Sequence, residues 1–424
     1  MNTTSRRNFM QSLGAMGVVG LSKSLFPAWM PRLAFAPRLQ IPPAGGRDTM
    51  VVIFQRGGMD GLNVVVPFGE GGNYYDRRPT IAIPEPGAGD NRAIDLDGFF
   101  GLHPALRPLK DVYDAGALTV IHGAGSPDPS RSHFTAMEYM ERGTPGMQTA
   151  TTGWVNRHLE TASWQNDSPF RAIGMGTMVQ GSLRGPVSAI ALKSIADFHL
   201  QGREEHLATI QRTLSSLYSI QAPTDMIGAQ AGEVFATMEL MAQLNESEYV
   251  PANAAEYPDS DFGMGLKQIA QLIKAEVGLE VACVDIGGWD THEDQGGSDG
   301  QLAGLLSDFG QGMAAFYADL RDYMSNVTVV SMSEFGRRVE ENGSAGTDHG
   351  HGNCMFVMGG GVTGGTYSRW VGLSDDMLDE GDLAVTTDYR DVLTEILVGR
   401  LGNPAVDRIF PDYVANLPGI IRAR

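Results

Sequence analysis

Cysteine, lysine and long apolar runs are what this chain has least of. Its 424 residues include only two cysteines, Cys283 and Cys354, and no CxxC pair. That excludes a disulfide-stapled scaffold and a thiolate metal knuckle. Each cysteine sits in an apolar run (VACVDIGG and GNCMFVMGG) and reads as a small buried hydrophobe. There are five lysines, and 50 acidic residues against 31 basic ones set the net charge at −19. Such a surface repels phosphate backbones, so no nucleic-acid partner is expected. No apolar run reaches the ~20 residues of a membrane-spanning helix, so no stable span is expected beyond a retained leader. No G-x-S-x-G elbow, P-loop or G-x-G-x-x-G follows a strand, which weakens the lipase-type, nucleotide-hydrolase and dinucleotide readings. Glycine is abundant instead, at 54 residues, nearly twice the usual ~7%. Many tight turns and a loop-rich functional face follow from it.

The N-terminus carries an address. Arg6-Arg7 precede Asn8-Phe9 and a short, glycine-rich apolar run to about Phe26, with no acidic residue before Asp48. This pattern predicts a twin-arginine export signal over 1–36 and a periplasmic or secreted protein. An A-x-A site stands at Ala34-Phe35-Ala36, but Pro37 follows it, so cleavage elsewhere or a retained anchor is also open. Residues 37–48 read as a Pro/Gly-rich leader, and 49–424 as a single α/β domain.

Within that domain, apolar runs alternate with amphipathic segments. TMVVIFQ, ALTVIHGAG, RAIGMG, PVSAIAL, LEVACVDIGG, VTVVSMS and CMFVMGGG read as strands. HPALRPLKDVYDAG, SRSHFTAMEYMERG, GMGLKQIAQLIKAEVG, 302–323 and TTDYRDVLTEILVGRLG read as helices, the last with Thr387 as N-cap. Continuous apolar strands between helices predict a mostly parallel central sheet covered by helices on both faces. The helical stretch from about 203 to 246 reads as a mid-chain insertion.

In open α/β sheets, sites gather beyond the carboxyl ends of strands, and the ionisable residues here fall at those places. Gly57-Gly58-Met59-Asp60 follows the first strand. Trp289-Asp290-Thr291-His292 follows VACVDIGG, and Glu334-Phe335-Gly336-Arg337 follows VTVVSMS. Just beyond lies Asp348-His349-Gly350-His351. Mixed carboxylate and imidazole suit zinc or manganese, with magnesium or calcium where carboxylates dominate. The predicted divalent-metal ligands are therefore drawn from Asp60, Asp290, His292, Glu334, Asp348, His349 and His351. A fourth piece, Ser130-Arg131-Ser132-His133, puts hydroxyls at a helix N-terminus. Free N–H groups there suit an anion or an activated oxygen nucleophile. Ser130, Arg131, Ser132 and His133 are the candidate catalytic group.

The leader together with FQRGGMDGLN, SRSHFTAMEYME, GGWDTHEDQ, SEFGRR, DHGHG and TTDYRDVL resembles a widespread family of exported bacterial proteins. That family is known only as a domain of unknown function and is grouped with the alkaline phosphatase and sulfatase superfamily. The resemblance spans about Thr49 to Leu401. It implies an alkaline phosphatase-like fold with one or two metals at strand ends and a serine, threonine or formylglycine nucleophile at a helix N-terminus. By position, Asp60 resembles the first-strand metal aspartate and Ser132 or Ser130 the nucleophile. Asp290 and His292 resemble the middle metal pair, Glu334 the next strand-end carboxylate, and His349 or His351 the late histidine. Three departures stand out. Glu334-Phe335 replaces an Asp-His pair, so one imidazole is missing, with Asp348 or His351 as substitutes. Asp290 and His292 show Asp-x-His spacing where Asp-x-x-x-His is usual. Pro127 stands where a formylglycine precursor would, which disfavours that type of sulfatase.

Two functions compete on this reading. One is an exported metal-dependent hydrolase of phosphate or sulfate esters, small or polymer-borne, with a serine nucleophile. The other is a secreted binding or assembly protein with a protein partner, on the same fold with a degenerate metal site.

Overall fold

The run Thr49–Gln55 (β1) is a strand with six of its seven residues buried. An unbroken apolar strand needs cover on both faces, and β1 therefore lies inside the sheet rather than at its edge. A computed structural model describes residues 48–162, 166, 168–195 and 249–423. All of these belong to one compact unit built from Ile41–Asp197 and Ser247–Arg424. The expected export signal (1–36), nearly all of the leader (37–48) and the helices expected at 203–246 lie outside the described residues.

Among the described residues, nine strands form the main sheet. After β1 come Leu118–Gly125 (β2), Ala172–Met175 (β3), Ile190–Leu192 (β4), Val281–Ile286 (β5), Val327–Met332 (β6), Asn353–Gly359 (β7), Gly365–Ser368 (β8) and Thr387–Asp388 (β9). Their order is β8-β2-β7-β6-β1-β5-β3-β4, with β9 beside β2. β1 runs parallel to both β5 and β6, with Val52 opposite Cys283 and Val330. Only β7 runs against its neighbours β2 and β6. The expected α/β class, a mostly parallel sheet, is present.

Among the described residues, five longer helices flank it: His133–Arg142 (α1), Trp154–Thr161 (α2), Asp261–Lys274 (α3), Gln301–Asp319 (α4) and Tyr389–Gly399 (α5). On one face Met50, Val52 and Phe54 of β1 pack with Trp154 and Leu159 of α2 and Val392 and Ile396 of α5. On the other, Phe309 of α4 meets Phe356 of β7 at 5.7 Å between ring centroids. Helices thus cover both faces, as the apolar strands require. Two local readings are corrected. HPALRPLK opens as a 3₁₀ segment, Pro104–Leu109, before a short helix, because Pro108 has no N–H for an α-helical bond. The N-cap of α5 is Asp388, whose side chain accepts from Arg390 N, and Thr387 pairs with β2 instead. Cys283 and Cys354 are both buried and free, with no bridge between them, and burial pushes the Cys283 thiol up to about 12.

This topology positions the loops. β1, β5 and β6 are parallel neighbours, so the segments after Gln55, Ile286 and Met332 leave the sheet at one edge. β2 points the same way and delivers Ser126–His133 there. Because β7 is reversed, the connection from β6 to β7 turns back at that edge and brings 334–352 with it. Gly57 allows the closest approach: its φ is +124°, and a Cβ there would sit 2.7 Å from Asp290 N, a contact no other residue type tolerates.

Candidate metal centre

Three imidazoles converge on Asp290. Ligand-type atoms of His133, Asp290 and His349 all lie within 4.8 Å of one another. His292 Nε2 is 3.0 Å from His349 Nε2 and 3.1 Å from Asp290 Oδ1. His349 Nε2 is also 3.1 Å from Asp290 Oδ1, and His133 Nε2 is 3.4 Å from Asp290 Oδ2.

The far nitrogen of each ring explains the arrangement. His133 Nδ1 is 2.7 Å from Glu334 Oε1, His292 Nδ1 is 3.1 Å from Asp348 Oδ1, and His349 Nδ1 is 2.9 Å from the Arg131 carbonyl oxygen. Ionised carboxylates and carbonyls only accept, so each Nδ1 is the donor and each Nε2 of a neutral ring keeps a lone pair. Two lone pairs 3.0 Å apart, both facing a carboxylate, repel unless a proton or a cation stands between them. His133 Nε2 is buried and has no hydrogen-bond partner. Imidazoles fixed from behind by acceptors, with their other nitrogens turned on one point, are how proteins present histidine to a metal. The donor set of imidazole nitrogen and one carboxylate fits zinc, manganese or iron rather than the all-oxygen cages of calcium and magnesium.

Electrostatics tune the four side chains differently. Burial works against the charge on Asp290, but the hydrogen bond from Arg337 and the charge of that guanidinium outweigh it, and its pKa falls to about 2. The Glu334 hydrogen bond holds His133 above the ordinary histidine value. Burial holds His349 below it. The Asn342 hydrogen bond is the main reason Asp348 sits low, with His292 adding to it.

The cluster is smaller than the predicted ligand set, and one member, His133, comes from outside it. Asp290, His292 and His349 are brought together. Glu334 reaches the centre only through His133; its Oε1 also accepts from Gly57 N at 2.9 Å. Asp348 likewise stands behind His292. Asp60 is buried apart from the imidazoles, with Oδ2 taken by Arg78 Nη1 at 2.5 Å and Gln295 Nε2 at 2.7 Å. His351 spends Nδ1 on Asp379 at 2.8 Å and Nε2 on the Ser126 carbonyl at 2.9 Å. Phe335 is buried and lays its ring 4.9 Å from that of His133 and 4.8 Å from that of His349. It is an apolar wall where the resemblance led one to look for an imidazole.

In the serine segment, Ser132 is the exposed N-cap residue of α1, and its side chain makes no capping bond. Ser130 Oγ accepts from Ser132 N at 3.3 Å. The Arg131 guanidinium pairs with Asp382, while its carbonyl anchors His349. His133, grouped with the serines in the sequence, stands instead with Asp290 and His349 in the group that could hold a metal. Its position one residue after the N-cap was the only local signal. Arg337 was also missed as a site residue. It is almost fully buried, and its Nη2 donates to Asp290 Oδ1 at 2.7 Å and to the Trp289 carbonyl at 2.9 Å.

Residues 115–398 match the family described as a protein of unknown function, DUF1501. No curated protein matches the chain. Among solved structures, the chain is similar to the PsFucS1 sulfatase from Pseudoalteromonas sp., at 11% identity over 89% of this chain and 74% of that one, TM-score 0.37. It is similar also to the C-terminal periplasmic domain of EcEptC from Escherichia coli, at 10% identity over 88% and 89%, TM-score 0.36. A third is the lipoteichoic acid synthase LtaP from Listeria monocytogenes, at 8% identity over 80% and 74%, TM-score 0.30. The α/β assignment rests on the sheet order above rather than on these distant likenesses.

Proposed function

The chain belongs to the DUF1501 family, proteins of unknown function, and within that membership we propose an exported hydrolase of phosphate or sulfate esters. It works with a divalent transition metal held by His133, His292, His349 and Asp290. The observation that carries this reading is the convergence of three Nε2 atoms on Asp290 while every Nδ1 is tied to an acceptor. When bound, such a metal supplies a Lewis acid toward a non-bridging ester oxygen.

The chain's own residues do the rest. Glu334, Asp348 and the Arg131 carbonyl hold the rings in one tautomer. Phe335 keeps water from the flank of His133 and His349, which strengthens every charge interaction beside it. Ser132 is the nucleophile of this proposal. It stands at the first turn of α1 next to His133, where unpaired backbone N–H groups favour an anionic substrate. The substrate is an anionic ester, free or carried on a polymer. Export by the twin-arginine route follows from Arg6-Arg7 and places the reaction in the periplasm or outside the cell.

The test is an assay of the purified mature protein on aryl phosphates and aryl sulfates, with metal content measured in parallel. Ser132→Ala is expected to lose hydrolysis and keep its metal, and a chelator to abolish hydrolysis in the parent. A fully loaded protein that hydrolyses no ester in the panel would favour the second reading, a binding or assembly protein. The capture of Asp60 by Arg78 is the observation that speaks for it.

A further inference from the structure

Resting on the metal centre proposed above, we propose that it holds one divalent ion and no second, because the other strand-end carboxylate has a permanent cation of its own. Asp60 and Arg78 are both fully buried, and Arg78 Nη1 lies 2.5 Å from Asp60 Oδ2. The guanidinium cannot swing away. Its Nε donates to the Val339 carbonyl at 2.9 Å, its Nη2 to the Arg338 carbonyl at 2.9 Å, and its Nη1 also to Asn63 Oδ1 at 2.8 Å. Asp60 Oδ1 has no partner, yet a lone oxygen makes no cage. Among the described residues, the group of ligand atoms within 4.8 Å of one another is that of His133, Asp290 and His349, and Asp60 is not part of it.

Charge around the imidazoles gives the same count. Asp290, Glu334 and Asp348 contribute three carboxylates, and Arg337 contributes one guanidinium locked onto Asp290 and the carbonyls of Gly57, Gly58, Trp289 and Thr347. With neutral rings, two net negative charges remain, the complement of a single divalent ion. A second ion would leave a half-buried pocket with two excess positive charges, and desolvated like charge is strongly disfavoured. The buried ring of Phe335, lying against His133 and His349, closes the flank from which another imidazole would have to come.

Titration of the metal-free full chain with Co²⁺ tests the proposal without any substitution. The visible absorption of the bound ion should saturate at one equivalent per chain, with the electron spin resonance of an isolated ion. Elemental analysis after equilibration with excess Zn²⁺ and desalting should also return one per chain. Two tight equivalents, or a spin-coupled pair, would overturn the single-ion inference while leaving the metal centre standing. No uptake at all would overturn the metal centre and this inference with it. Asp60→Asn should keep the count at one, and a fall in the count would show Asp60 to be a ligand and overturn the assignment of its charge to Arg78.

Discussion

Glu334 Oε1 lies 2.7 Å from His133 Nδ1, joining the end of β6 to the first turn of α1 across 201 residues of sequence. That bond decides which nitrogen of His133 faces Asp290. Glu334→Gln keeps the shape and an accepting oxygen but removes the charge that makes the imidazole a strong ligand. Metal affinity is expected to fall about 10–100-fold, with the thermal melt of the metal-free protein changed much less. Competition against a chromophoric chelator measures it, and unchanged affinity would reduce Glu334 to a packing role.

The two histidines of the DHGHG loop should behave differently. His349→Ala removes an Nε2 from the cluster and should lower metal content. At saturating metal it also forfeits the stabilisation that a bound ion gives, about 2.7 kcal/mol at a hundredfold excess over the dissociation constant. His351→Ala breaks a strap between Asp379 and the Ser126 carbonyl and should leave metal content intact. Equal loss of metal from both variants would contradict the arrangement described.

Asp60→Asn leaves the Arg78 guanidinium buried without its counter-charge. Breaking one side of a fully buried pair costs about 3–5 kcal/mol, and urea denaturation should register a loss of that order. A change below 1 kcal/mol would mean that the neighbouring carbonyls alone satisfy Arg78.

Two histidines outside the site set an acid limit. His122 donates from Nε2 to the Val65 carbonyl and accepts at Nδ1 from Gly123 N, and His103 does the same with Gly297 and Ala105. Both rings are thus satisfied as neutral species, and burial lowers each pKa from 6.5 to about 4. The unfolded chain takes up these protons first as pH falls, so stability declines between about pH 6.5 and about pH 4 and levels off below. The loss is of order 3 kcal/mol per histidine over that window. Denaturation curves across this range should show it, and His122→Gln should flatten the slope. A pH-independent midpoint would refute the assignment.

Replacing Arg6 and Arg7 with lysine should strand the chain in the cytoplasm, because the paired guanidinium groups are the feature that marks the leader for the twin-arginine route. Fractionation of cells expressing both forms decides it. Normal export of the lysine form would remove the assignment to the twin-arginine route.

Much of this protein is legible one segment at a time. TMVVIFQ, VACVDI and VTVVSM are strands because largely apolar runs rich in β-branched residues suit burial on both faces, and that is a property of six or seven consecutive residues. SRSHFTAMEYMERG is a helix between an N-cap serine and Gly143, whose left-handed φ of 68° ends it. The gathering of ionisable residues at strand ends was legible too, so the juxtaposition of Asp290, His292 and His349 was within reach of the sequence. Partners were not. That Asp60 answers to Arg78, that Glu334 stands behind His133, and that His351 faces away from His349 depend on atoms from different loops. Those loops meet only because β1, β5 and β6 are parallel neighbours and β7 alone turns back. Whether a carboxylate holds a metal, an arginine or a histidine is a question of which charge comes within 3 Å of it, and sheet order settles that. Local sequence encodes periodicity and capping, whose energies act over a few residues, whereas the centre depends on contacts such as His292 with His349 and His133 with Glu334, 57 and 201 residues apart.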